Sequence, residues 1–163
     1  MVKHKVYVKR QRQGLGERSI TSLCRRAIKA TLQEEGITSP VEISVLVSDD
    51  KGIQEMNKEH RNIDAATDVL SFPTQAYIPG DFKVGEGDID PDTGILHLGD
   101  IVISCERAEN QAKEYGHETT REIAYLMVHS TLHLLGYDHE NPRDKSQMRA
   151  REDHVLATLG LGR

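Results

Sequence analysis

His129, His133 and His139 stand at positions 0, +4 and +10 of the segment His-Ser-Thr-Leu-His-Leu-Leu-Gly-Tyr-Asp-His, with Gly136 at +7. Four residues advance an α-helix by about 400°, so His129 and His133 leave one face a turn apart, where both imidazoles reach a single ion. Gly136 supplies the conformational freedom that a helix C-terminus needs, and the reversed chain brings His139 round as a third ligand. Leu126, Met127, Val128, Leu132, Leu134 and Leu135 make this helix apolar nearly all round. A buried helix is therefore expected, and buried imidazoles need partners. Three neutral imidazoles with an open fourth position suit tetrahedral zinc carrying a water, one ion per chain. Other divalent transition metals accept the same ligands.

The spacing matches the H-E-x-x-H-x-x-G-x-x-H pattern of metzincin peptidases except at the glutamate, where this chain has Ser130. The carboxylate base of a peptidase is missing, which counts against a zinc metallopeptidase-like hydrolase. No unambiguous general base is visible: Asp138, beside the third histidine, is either a base or only a support for a ligand. A purely structural zinc is usually closed by four protein ligands, often cysteines. Cys24 and Cys105 lie far from the motif, lack CxxC spacing and sit at apolar helical positions, so reduced buried thiols are expected. His117, His154 or an acid are the groups that could close the fourth position.

A second cluster lies between Asn57 and Pro73, where Arg61 at a helix end is followed by a polar loop and a short strand. A guanidinium can grip a phosphodiester with two hydrogen bonds and stabilise its extra transition-state charge. Taken alone, Arg61 reads rather as an ordinary surface or helix C-terminal arginine.

These residues need a scaffold, and the 163-residue chain is long enough for one domain, 1–163, with a real core. Apolar alternation predicts strands over 2–8 and 41–47, a short strand over 67–73 stopped by Pro73, and another over 95–103. Helices are expected over 17–35, about 50–60 after Ser48-Asp49-Asp50, 104–115 with Ser104 as N-cap, about 119–135 for the histidine helix, and about 143–158. Met148, Val155, Leu156 and Leu159 of the last helix should face inward. Residues 74–94 hold three glycines and two prolines between Pro79 and Gly94 besides Gly80, and read as a long surface loop. Its Asp88, Asp90 and Asp92 lack the glycine and terminal acid of a calcium loop. The order βαβαββααα implies an α+β domain, helices packed on a mixed four-stranded sheet, with the histidine helix in a zincin-like position beside it.

Net charge is -5, unevenly spread: residues 1–30 carry nine Lys or Arg against Glu17, hence +8, and the remainder carries twelve basic and twenty-five acidic residues, hence -13. Arg18, Arg25 and Lys29 fall on one helical stripe, as a phosphate-binding patch or any solvated helix face would. No apolar run is long enough to span a membrane, and the N-terminus Met-Val-Lys-His-Lys-Val is too charged for a signal peptide, so a cytoplasmic location without membrane contact is expected.

The histidine segment, the N-x3-R-x5-T-D-V-L-S-F-P run from Asn57 to Pro73, and Leu98-Gly99-Asp100-Ile101-Val102-Ile103-Ser104 together resemble the YbeY family of endoribonucleases, in the same order and across essentially the whole chain. Many members have glycine where this chain has Ser130. The resemblance implies a single-strand-specific, metal-dependent endoribonuclease in late ribosomal RNA maturation, at the 3′ end of the 16S RNA, and in ribosome quality control. It marks His129, His133 and His139 as the metal ligands, with His129 also counted as catalytic, and Arg61 as needed for RNA cleavage. Implied partners are single-stranded and ribosomal RNA, the small ribosomal subunit and its assembly factors. The non-enzymatic alternative is a ribosome-assembly factor whose zinc is structural.

Overall fold

Apolar alternation near the N-terminus becomes a strand only where it finds a pairing partner. In the computed structural model, which describes residues 2–85 and 87–162, β1 spans Lys5–Arg10 and pairs in parallel with β2, Val41–Ser48, from Lys5↔Glu42 to Arg10↔Val47. The expected start at Val2 is too early, because His4 interrupts the ladder. Its Nδ1 accepts the backbone N–H of Val41 at 3.2 Å, occupying a donor that another strand residue would need. β2 also pairs in parallel with β4, Leu96–Ser104, and β4 pairs antiparallel with β3, Val69–Pro73. The order β1-β2-β4-β3 is the expected mixed four-stranded sheet.

Five helices complete the single α+β domain: α1 Ile20–Glu34, α2 Asp50–Arg61, α3 Cys105–Tyr115, α4 Thr119–Leu134 and α5 Pro142–Thr158. Side-chain caps set three of the starts. Asp49 accepts from Gly52 N–H, Ser104 from Arg107 N–H, and Asn141 from Asp144 N–H ahead of Pro142 in the first turn. α1 begins three residues later than expected, after the turn Gly14–Ser19, and Arg18 therefore lies outside it. Arg25 turns Nε to the carbonyl of Val6 at 3.1 Å. The stripe Arg18, Arg25, Lys29 is thus broken, one cation off the helix and one bonded to β1.

Helices pack on both faces of the sheet, covering one fully and the other in part. α2 packs Ile53 and Met56 on one side against Leu70, Val102, Leu46 and Phe72. The other side carries Val41, Ile43, Val45 and Val47 of β2 with Leu96, Leu98, Ile101 and Ile103 of β4, covered by α1 and α4. The buried set on β4 switches from even to odd numbers, which simple alternation forbids. A β-bulge explains it: Glu42 pairs with His97 and Ile43 with Gly99, so Leu98 is the extra residue. A Cβ at Gly99 would lie 2.6 Å from the Phe72 carbonyl oxygen and 2.7 Å from a methyl of Leu134. The glycine lets the end of α4 settle onto the sheet beside β3.

Both cysteines are free and buried, as expected, and burial pushes the Cys24 thiol up to about 12. In the loop before β4, Asp88 and Asp90 accept backbone N–H groups of Gly85 and Asp92, turn caps rather than a cation cage. No helix among the described residues is long and apolar enough to cross a membrane.

Candidate metal centre

Helix α4 packs against α1, α3, α5, β3 and β4, so nearly all of its surface is covered. From its third residue on, the positions left partly open are Arg121, Tyr125, His129 and His133, one residue every four. That spacing is one seam along the helix. After Leu134 the chain reverses through Gly136, at φ +102° and so close to the loop before β4 that a Cβ would run into the Tyr77 carbonyl. The reversal delivers His139 opposite the seam.

One nitrogen each of His129, His133 and His139 lies within 4.8 Å of the other two. His133 Nδ1 faces the Tyr137 carbonyl oxygen at 2.8 Å, and a carbonyl only accepts, so this nitrogen carries the proton. His129 Nδ1 faces Glu152 Oε2 at 2.5 Å and likewise donates. Both Nε2 lone pairs then point at each other across 3.2 Å. Two lone pairs held that close repel unless a cation lies between them, so the donor set fits a metal that binds imidazole. Burial, and then the neighbouring His129, hold the His133 pKa below the usual histidine range, keeping it in the neutral form a ligand requires.

The groups that aim these rings were invisible or misassigned in the sequence. Glu152 is 5% exposed and reaches across from α5. It was legible in principle: it lies one turn from Met148 and one from Leu156, an acid in the middle of an inward stripe. Tyr137 holds His133 through its backbone while its phenol donates to Glu35 Oε1 at 2.5 Å, and Arg151 Nε binds Glu35 Oε2 at 2.7 Å. The end of α1 and the middle of α5 thus clamp the turn between the second and third histidines. Asp138, expected to support a ligand, instead accepts the backbone N–H of His139 at 2.7 Å. A short aspartate at a turn reaches its neighbour's N–H more readily than a ring beyond it.

Arg61 ends α2, on the opposite face of the sheet, and Asn62 caps it with φ +58°. Beside the edge strand β3 it reaches the same cleft as the histidines, a hollow of about 810 Å³ whose wall includes Arg61, Asp68, Ser71, Tyr77 and all three rings. Arg61 is exposed, and its guanidinium is bound to no other described residue. Ser130 is fully buried and away from this wall. One residue past His129, it is turned about 100° from the ligand face, and a serine is too short to come back. The two histidines considered for a fourth ligand are engaged elsewhere: His117 Nε2 with Glu122 at 2.6 Å, and His154 Nε2 with Glu34 at 2.6 Å. Among the described residues, the metal-binding group consists of the three histidines.

Comparison with known proteins gives one family. The model of endoribonuclease YbeY matches residues 5–160. A protein of that name from Roseiflexus sp. is 46% identical over 149 residues, covering 88% of this chain and 86% of its own. Those of Acetivibrio thermocellus and of Clostridium botulinum strain Alaska E43 are 44% and 48% identical, each over 88% of this chain and 89% and 90% of theirs. The solution structure of TM1509 from Thermotoga maritima shares the fold, with TM-score 0.56, 21% identity, and coverage of 94% of this chain and 91% of that one.

Proposed function

Since the chain belongs to the YbeY endoribonuclease family, we propose that it is a metal-dependent endoribonuclease specific for single strands, acting through one domain in late maturation of the 16S ribosomal RNA at its 3′ end and in ribosome quality control. The observation that carries the chemistry is the cleft itself, where two converging imidazole lone pairs and a third histidine lie on one wall and the guanidinium of Arg61 on another. On this reading the enzyme acts on phosphodiester bonds of RNA, with small-subunit RNA, the small ribosomal subunit and its assembly factors as partners, in the cytoplasm.

His129, His133 and His139 would hold the ion, zinc by the all-imidazole donor set and the position left open for water. When bound, it supplies Lewis-acid stabilisation of a phosphoryl oxygen and lowers the pKa of bound water to roughly 7. The chain's own residues do the rest. Glu152 and the Tyr137 carbonyl keep the protons of His129 and His133 on Nδ1, so that Nε2 stays available in both. Arg61 receives the phosphodiester with two N–H groups and neutralises charge that develops on its oxygens. His129 retains 19% of its side-chain exposure, so a phosphodiester has to enter the cleft to reach it. A flexible single strand can present one phosphate that way, whereas the phosphates of a duplex are held in a rigid A-form backbone.

Purified protein should therefore cleave unstructured RNA far faster than the same sequence annealed to its complement, and a chelator should stop both reactions. Equal rates on the two substrates would defeat the single-strand assignment.

Ser130 separates this reading from a peptidase. Its hydroxyl is fully buried and finds no hydrogen-bond partner among the described residues. Ser130→Ala removes an unsatisfied polar group, so stability should stay within about 1 kcal/mol and shift upward, and RNA cleavage should remain within about tenfold. Thermal melts and cleavage rates test both. Chelator-sensitive digestion of casein by the wild type would revive the peptidase.

A further inference from the structure

The partly open seam of α4 does not stop at the histidines. It continues toward the N-terminus through Tyr125 and Arg121, a run of about 18 Å from Arg121 to His133 at the helical rise per residue. Two further hollows lie along it. One of about 200 Å³ shares His129 and His139 with the metal cleft and adds Tyr125, Lys145 and Arg149. The next, about 630 Å³, shares Tyr125 and Arg149 with the second and ends at Tyr115, His117 and Arg121. Shared wall residues set the three hollows side by side, from Arg61, past the three histidines, to the far end of α4.

We propose that the 630 Å³ hollow is a nucleotide subsite, holding a ribonucleotide of the substrate strand adjacent to the cleavage point, its base on a tyrosine ring and its phosphate on Arg149. The proposal rests on the endoribonuclease reading above. Its size is that of a small-molecule site. Tyr115 is 63% exposed, at the last position of α3, with its ring 5.9 Å from that of His117. An aromatic face open to water in a polar hollow suits sequence-tolerant stacking of a base. Tyr125 has its ring centroid 5.7 Å from that of His129, which ties the subsite to the metal cleft.

The hollow also contains acids, and most of them are occupied. Glu122 accepts from Gln111 and pairs with His117, Glu152 pairs with His129, and Asp68 accepts from the N–H of Val69 and from Gln111. Asp153 is exposed. Arg149, exposed on α5, and Lys145 of the connecting hollow are cations that no ion pair holds among the described residues, whereas Arg121 in the same wall donates Nε to the Leu161 carbonyl.

The test is a series of unstructured RNA oligonucleotides with a single cleavage point, lengthened one nucleotide at a time on the 5′ or the 3′ side. For wild type, kcat/KM should rise about tenfold at the step that fills the hollow, in one of the two series, the scale of one stacked base. The double variant Tyr115→Ala/Arg149→Ala should lose that step, so its long-to-short kcat/KM ratio falls about tenfold. Tyr115→Phe, which keeps the ring, should retain it. Circular dichroism and metal content establish that each variant is folded and loaded, and Tyr115→Ser with Arg149→Gln serves if the first pair is not. A double variant with the wild-type length dependence, or a wild type with no such step, overturns the subsite. Wild-type protein that cuts none of the oligonucleotides overturns the endoribonuclease reading instead.

Discussion

His133→Ala is expected to lose its bound metal and, with it, RNA cleavage. The ring it removes supplies one of two lone pairs that converge across 3.2 Å, and the remaining pair, His129 and His139, has ring centroids 5.4 Å apart with no third donor among the described residues. Loss of a supporting hydrogen-bond partner typically costs about 10- to 100-fold in metal affinity, and loss of the ligand itself should cost more. Glu152→Gln supplies the comparison. The amide keeps the volume and can still accept from His129 Nδ1 but forfeits the carboxylate's charge, so its affinity should fall only within that range. Stability reports the same difference. Zinc at about a hundred times its dissociation constant would add ~2.7 kcal/mol to the wild type, about 5 to 10 °C in melting temperature for a domain this size. His133→Ala should show no such rise. Metal analysis after dialysis and melts with and without zinc measure both. A His133→Ala protein that keeps a full equivalent of tightly bound metal would remove His133 from the ligand set.

The histidine spacing was legible because helical period is a local property, and the helix that it implied is where it was expected. Element order and the mixed sheet followed similarly from alternation, caps and breakers. What local pattern could not supply was everything that depends on long-range partners. β1 starts at Lys5 because that is where β2 begins to pair, and the bulge at Leu98 exists only relative to Glu42 and Ile43. The same holds in the site. Glu152, twenty-three residues beyond His129, becomes the carboxylate behind it only once α5 packs against α4. Asp138, nearest in sequence, looked like that partner and caps its own turn instead. The basic stripe dissolved for a related reason: Arg25 found a carbonyl on β1, and Arg18 never joined the helix. That Arg61 shares a cleft with the histidines was not readable locally, since nothing in its own segment says that a residue at the end of a helix on the far face of the sheet will reach it.

Arg61→Ala should separate phosphate recognition from metal binding. The side chain is exposed at the end of α2, holds no other described residue, and is capped by Asn62 whatever its identity, so the fold should survive. It lies outside the group of three histidines, so metal content should survive too. If the guanidinium stabilises charge on the phosphodiester as it is cleaved, its loss should cost on the order of 3 kcal/mol, roughly a hundredfold in rate, by analogy with removal of an oxyanion donor. The loss should appear in the single-turnover rate at saturating RNA and not merely in binding, because charge that grows in the transition state is held more tightly there than in the ground state. Arg61→Lys should recover only part, since an ammonium keeps the charge but not the two-pronged geometry. The pair of variants therefore distinguishes a shaped contact from a general positive potential, which lysine would restore in full. Single-turnover cleavage of a labelled RNA, beside circular dichroism and metal analysis, reads all three quantities. A folded, metal-loaded Arg61→Ala protein with wild-type cleavage would return Arg61 to the role of an ordinary helix-end cation.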